Sequence, residues 1–286
     1  FSIRWRETPR NRLNLAAGVA PAVQAQAAIR WRLASSFPKA LDTIFGAADT
    51  FARKVKDLSG GKFEISVHAA GELVPTPGLV DAVQNGTVEM GNTALYYYWG
   101  KNPAFTFGTS LPFGLNTRAH IAWLHFGGGT EMLNDLLKEY NAVGIPTGST
   151  GAQMGGWFRK EIKTVADYKG LKFRVGGFAG KVISRLGGVP QNIPGGEIYQ
   201  ALEKGTIDAA EWVGPYDDQK LGFYKVAPFY YYPGWWEGGP EVDFFINQKA
   251  FDALSAENKA IVEAAASHAH VDMLAKYDAL NPTALK

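Results

Sequence analysis

The chain has 286 residues, which suits about two domains of ~100–150 residues each. With 46% hydrophobic and 20% charged residues it is too apolar to be disordered, and 29 basic against 27 acidic residues leave +2, too small a surplus to grip nucleic acid. Cysteine is absent, which removes disulfides, thiolate nucleophiles, zinc knuckles and iron–sulfur clusters together.

Arg4, Arg6, Arg10 and Arg12 precede a weakly apolar stretch, Leu13 to Ala27, that closes on Ala25-Gln26-Ala27. Basic, apolar and small-residue segments in that order resemble a secretory signal, so residues 1–27 read as signal-like, the alternative being a disordered tail. The stretch is too short and too polar to span a bilayer. Ile29, Trp31 and Leu33 then alternate with Arg30 and Arg32, a strand pattern. Ile44, Ala48, Phe51, Val55 and Leu58 fall at helical spacing, and Ser59-Gly60-Gly61 ends that helix. Phe63, Ile65 and Val67 alternate again, a short helix spans about Gly78 to Gln84, and Asn85-Gly86 turns into a further strand. Strand–helix–strand–helix–strand requires parallel pairing and predicts an α/β layer.

That arrangement is echoed later. Ala82-Val83-Gln84-Asn85-Gly86-Thr87-Val88-Glu89-Met90-Gly91 matches Ala201-Leu202-Glu203-Lys204-Gly205-Thr206-Ile207-Asp208-Ala209-Ala210 in character at nearly every position. The second copy follows its own strand, Leu171 to Val175, and its own helix, about Ala179 to Leu186. The spacing is too long for a solenoid, so two similar α/β lobes are predicted, with a small-ligand cleft between them. The ligand then sits beyond the carboxyl ends of the strands. The last helical pattern runs into Asn281-Pro282 and stops at Lys286 without a closing element, and the chain opens on Phe1 rather than Met. Both ends are therefore expected to be incomplete.

The residues placed near those strand ends carry the chemistry. Gly176-Gly177-Phe178-Ala179-Gly180-Lys181 is not a phosphate loop: the first Gly is one residue too close and Val182 stands where a hydroxyl must hold magnesium. It is a Gly-rich turn opening a helix, with Arg174 just before it. Arg174 offers a planar fork for a carboxylate, the alternative being a surface arginine on a strand edge. Glu211 and Glu237 lie among Ala, Trp and Gly, where a solvated acid is out of place. With the amide oxygen of Gln153 they would give a hard cation oxygen ligands; the alternative is structural hydrogen bonds or ion pairs. If Tyr96-Tyr97-Tyr98 and Tyr230-Tyr231-Tyr232 are strands, only part of each run lines a pocket. The five histidines have no HExxH spacing and suit packing or surface roles. No G-x-S-x-G elbow or His–nucleophile pair is present, so the pocket comes without catalytic machinery.

On these residues the sequence resembles the DctP-type solute-binding proteins of TRAP transporters, most of all their 2-oxo acid-binding members. The resemblance runs from about Trp31 to the end. Its most specific segments are Trp31 to Pro38, Gly71 to Pro75, Tyr96 to Lys101, Gln153 to Arg159, Arg174 to Lys181, Glu211 to Asp218 and Tyr230 to Pro240. It implies an α/β, two-lobed, type II-like periplasmic binding protein with a hinge and an interlobe cleft: lobe I over 28–148, lobe II over 149–238, and a return segment over 239–286 that begins the C-terminal helices. It implies export to the periplasm, delivery of a small organic anion to the TRAP permease subunits, and a homodimer where the C-terminal portion is present. Arg174 matches the arginine that binds the substrate carboxylate; Gln153, Trp212 and Tyr98 are the further expected substrate contacts. Gln153, Glu211, Trp212 (by its backbone carbonyl) and Glu237 match the metal surroundings, sodium first and calcium as the alternative.

Charge counting agrees with a cation. Glu211, Glu237 and the acid carry three negative charges against the one positive charge of Arg174; sodium leaves −1 and calcium leaves none. The expected ligand is a pyruvate-like 2-oxo monocarboxylate. The alternatives are a 2-hydroxy acid such as lactate, a sugar held on Trp and Tyr faces, or a metal-dependent lyase acting on 2-oxo acids.

Overall fold

A computed structural model of the chain describes residues 28–286; the signal-like reading of 1–27 lies outside the described residues. In β1 (Ile29–Ser35) Trp31 and Leu33 are buried while Arg30 and Arg32 face out. α1 (Gly46–Leu58) buries Ala48, Phe51 and Val55, spaced three and four apart along one face. β2 (Phe63–His68), α2 (Leu79–Gln84) and β3 (Met90–Thr93) follow, and β2 and β3 both pair parallel with β1. α3 (Thr117–Phe126) and α4 (Gly129–Lys138) lead into β4 (Ala142–Ser149).

The second sheet is built from β5 (Gly156–Phe158), β6 (Lys172–Arg174), β7 (Val189–Gln191), β8 (Ala209–Ala210) and β9 (Phe229–Tyr231). α5 (Ala179–Arg185), α6 (Ile198–Glu203) and α7 (Pro215–Leu221) connect them. Its order is β7-β6-β8-β5-β9; β7 and β8 run parallel to β6, and β5 antiparallel to β8 and β9. β10 (Glu241–Asn247) then returns to the first sheet, antiparallel between β3 and β4, completing the order β2-β1-β3-β10-β4. α8 (Gln248–Asp252) and α9 (Ala256–Ala284) close the chain. The Ser255 hydroxyl accepts the Asn258 N–H at 3.2 Å and starts α9. The buried stripe of α9, from Val262 through Ala266 and Ala269 to Met273 and Tyr277, packs on α1 and β4. Phe51 and Phe244 meet at 4.4 Å in that core, where each large apolar side chain contributes about 1.5–3 kcal/mol.

The echo is structural. α2, a turn and β3 repeat as α6, a turn and β8, and Gly86 and Gly205 turn with φ of 70° and 71°. That left-handed conformation disfavours every L side chain, which is why Gly recurs there. The chain crosses between the sheets twice, over 150–155 and 232–240. The crossings are tied together: Gln153 N donates to Glu237 O at 3.0 Å, Gly234 N to Gln153 O at 3.0 Å, and Thr150 N to Pro240 O at 3.3 Å.

Candidate functional site

Arg174 ends β6 and is 1% exposed. A charge so deep requires partners, and its guanidinium has them. Nε donates to Ile193 O at 3.2 Å, Nη1 donates to Glu211 O at 2.8 Å and also to the Glu211 carboxylate, and Nη2 reaches the Tyr97 hydroxyl at 3.4 Å. Trp212 lies under the guanidinium carbon at 5.2 Å and Tyr97 at 5.8 Å. Burial works against the charge, but Glu211 and the tyrosines outweigh it and raise the Arg174 pKa. The fork expected from the sequence is thus half engaged: Nη1 serves Glu211, and Nη2 is the edge least committed. A buried Glu211 needs that cation, which is the physical reason.

Glu211 follows β8 and Glu237 sits on the second crossing. The Gly176 N–H reaches Glu211 Oε1 at 3.3 Å. Burial raises the pKa of Glu211, with Arg174 and the Gly176 N–H opposing. Burial, then the nearby Glu211, pushes Glu237 well above the carboxylate range, with the Tyr96 hydroxyl and Arg174 opposing. Gln153, on the first crossing, donates from Nε2 to Thr150 Oγ1 at 3.0 Å, which leaves its amide oxygen facing away from that partner. Gln153 Oε1, Glu211 Oε2 and Glu237 Oε2 are all buried and accept no hydrogen bond. Each such unsatisfied group costs about 1–3 kcal/mol. Unpartnered oxygens also occur on β10, at Glu241 and Asp243, but there Glu241 is anchored by His270 at 2.7 Å and both lie within the lobe I sheet.

The three bare oxygens fit a hard cation, which takes carboxylate, amide and peptide oxygens together. Among the described residues no cluster of three or more His, Cys, Asp or Glu is placed to hold a metal, so a cation here depends on Gln153 and the backbone as well as the two acids. Arg174 and Glu211 stand at the carboxyl ends of parallel β6 and β8, where an open α/β sheet places its ligand.

The tyrosine run is a 3-10 turn, Leu95–Tyr98, and not a strand. Successive side chains in a 3-10 turn rotate by about a third of a revolution, so the three rings diverge. Tyr96 covers Gly176 and Gly177: a Cβ on either would sit 2.8 Å or 2.4 Å from its ring. Tyr97 faces Arg174, and its carbonyl accepts the Asn192 Nδ2–H at 3.1 Å. Tyr98 stands apart from the other predicted residues. Its hydroxyl donates to Thr76 O at 2.8 Å and its ring packs edge-on with Phe105 in lobe I. The rotation that sends Tyr97 to the arginine turns Tyr98 away. Tyr96 and Tyr97, with Thr150 behind Gln153, are contacts the sequence reading did not single out; the Gly176-Gly177 pair was the available signal that a ring lies on that turn.

Residues 34–286 match the family model of the bacterial extracellular solute-binding proteins, family 7, or DctP. The chain belongs to the DctP family. A monocarboxylate 2-oxoacid-binding periplasmic protein of a Nostoc species is 54% identical over 257 residues, covering 90% of this chain and 70% of that protein. A TRAP transporter solute-binding protein of Bordetella bronchiseptica superposes with a TM-score of 0.90 at 55% identity, covering 91% of this chain and 77% of that one; its crystals are of a mixed-occupancy dimer with calcium and picolinate in the bound site. A TRAP periplasmic solute-binding protein of Pseudoalteromonas atlantica, with sodium and pyruvate bound, gives a TM-score of 0.87 at 44% identity, covering 90% and 78%. These DctP relatives share the two-lobed architecture. No described helix is long and apolar enough to cross a membrane.

Proposed function

We propose that this chain is the periplasmic solute-binding subunit of a TRAP transporter and captures a small 2-oxo monocarboxylate of the pyruvate class for delivery to the membrane permease. The observation that carries the reading is a set of three buried oxygens with no hydrogen-bond partner, on Gln153, Glu211 and Glu237, the first residue bonded through its backbone to Glu237 and the second paired with the buried Arg174. Relatives of this family hold sodium or calcium together with small carboxylates, and the donor set present here suits the same partners.

Gln153, Glu211, Glu237 and the carbonyl of Trp212 hold the cation; when bound it supplies positive charge between the two acids and a Lewis-acidic contact for the substrate's oxygens. Arg174 takes the substrate carboxylate through Nη2, whose long contact to the Tyr97 hydroxyl makes it the least committed edge. The rings of Trp212, Tyr96 and Tyr97 exclude water and so strengthen each charged contact. No residue of the site is left to act as a general base, since both acids are committed to the cation; the reading is binding without bond making. A thermal-shift panel tests it. Pyruvate and its short homologues stabilise the protein in sodium or calcium, whereas neutral sugars do not. Stabilisation by sugars alone refutes the reading, lactate above pyruvate redirects it to 2-hydroxy acids, and turnover of pyruvate makes the protein a lyase.

A further inference from the structure

α7 carries two adjacent buried acids that bond in opposite directions. Asp217 accepts from the Thr43 hydroxyl, in the turn before α1, and from the Tyr277 hydroxyl at 2.6 Å, on α9. Asp218 accepts from Trp157 Nε1 at 2.9 Å and the Tyr230 hydroxyl at 2.9 Å through Oδ2, and from Val213 N at 3.2 Å through Oδ1. That last bond bears on the site. Val213 N–H and Trp212 C=O are two ends of one peptide group, which is planar and trans, so they point in opposite directions. Holding the N–H on a carboxylate inside lobe II turns the Trp212 carbonyl the other way. Among the described residues no hydrogen bond ends on that carbonyl, although Trp212 is buried. The peptide is fixed from its far side too, because Val213 O accepts the Met154 N–H at 3.0 Å, one residue beyond Gln153. A carboxylate accepting the N–H also polarises the peptide and concentrates negative charge on its oxygen.

Resting on the proposed function above, we propose that Asp218 is a positioning residue: it holds the Trp212–Val213 peptide so that the Trp212 carbonyl is presented to the cation beside Gln153, Glu211 and Glu237. Asp218 touches neither cation nor substrate. Trp157 and Tyr230, stacked on each other at 3.9 Å between ring centroids, clamp its other oxygen and fix the direction of the bond.

Asparagine at this position cannot serve all three donors. With its oxygen toward Trp157 and Tyr230, its NH2 opposes the Val213 N–H, and the peptide loses its anchor. Asp218→Asn therefore weakens calcium binding, read by calorimetry without organic acid, by about 10- to 100-fold, the range found for groups that orient metal ligands. Asp217→Asn, equally buried one residue away, stays within about twofold of wild type. Trp212-Val213 is the sole Trp-Val pair in the sequence, so carbonyl-carbon-labelled tryptophan with nitrogen-labelled valine gives one correlated resonance from this peptide. In wild type that carbonyl resonance moves on adding calcium. Wild-type calcium affinity in Asp218→Asn overturns the proposal and leaves the functional reading standing, as does a carbonyl resonance that stays still while calcium binds. A wild-type protein that binds neither calcium nor sodium, with or without pyruvate, overturns the functional reading itself. If Asp218→Asn does not fold, hydrogen exchange on wild type decides: a protected Val213 N–H together with the moving carbonyl supports the proposal, and an unprotected one overturns it.

Discussion

Glu211 and Glu237 at the interlobe boundary and Asp217 and Asp218 on α7 are equally hidden from water, yet their oxygens are treated differently. All four aspartate oxygens accept hydrogen bonds, from Thr43, Tyr277, Val213, Trp157 and Tyr230. Each glutamate keeps one bare oxygen. Burial raises the pKa of every one of the four, Asp217 to about 6 and Asp218 to about 7. Burial and a raised pKa are therefore common to both pairs; a bare oxygen distinguishes the glutamates from the aspartates of α7, and the nearby Arg174 distinguishes them from Glu241 and Asp243 of β10, which also keep a bare oxygen. The aspartates hang on groups from distant parts of the chain and complete a network. Each glutamate, like Gln153, keeps an oxygen that no group of the protein satisfies.

The contrast can be broken most forcefully at Arg174. Arg174→Ala strands Glu211 without its cation, so stability falls by about 3–5 kcal/mol and pyruvate affinity by about 100-fold or more; denaturant melts and calorimetry read the two. Wild-type affinity would place the carboxylate elsewhere. Glu237→Gln separates the two roles by sign. In cation-free buffer the variant is at least as stable as wild type, because a buried carboxyl with a bare oxygen becomes a neutral amide, while calcium affinity drops by about tenfold or more. A loss of stability without loss of calcium binding would make Glu237 a structural acid like those on α7.

Asp217→Asn gives the converse and the smallest effect: lower stability with pyruvate affinity within about twofold of wild type. Its pH dependence carries a sign. Asp217 titrates at about 6 in the fold, chiefly through burial with Thr43 and Tyr277 opposing, against 3.8 when exposed. The native state thus holds a proton that the unfolded chain has released, and this contribution is full below pH 4 and lost as pH rises to about 6. The stability cost of Asp217→Asn is therefore larger at pH 5 than at pH 8, by about 1.4 kcal/mol. A cost that grows with pH would show that Asp217 is stabilised as the anion.

Much of this was readable before the fold. The parallel cores of both lobes followed from alternating and helical spacing, and the echo around Gly86 and Gly205 marked the second lobe because one backbone conformation demands the same residue twice. Arg174, Glu211, Glu237 and Gln153 stood out as polar groups in apolar company. The antiparallel strands did not: β10 reads as a run of mixed acids and aromatics, and its partners β4 and β3 lie about 100 and about 150 residues earlier. The sequence does not separate Tyr97 from Tyr98, because a repeated residue gives no phase and only the 3-10 turn assigns one. Asp217-Asp218 looks like an ordinary acidic first turn of an exposed helix; nothing local shows that Thr43, Trp157, Tyr230 and Tyr277 converge on it.

In the proposed function the bare oxygens of Gln153, Glu211 and Glu237 hold a cation on which acid binding depends. Pyruvate titrated calorimetrically into protein stripped of cations, then into the same protein with sodium and with calcium restored, tests it directly. The account predicts binding at least about tenfold tighter, worth 1.4 kcal/mol or more, once either cation is present. One dissociation constant across all three conditions would contradict it.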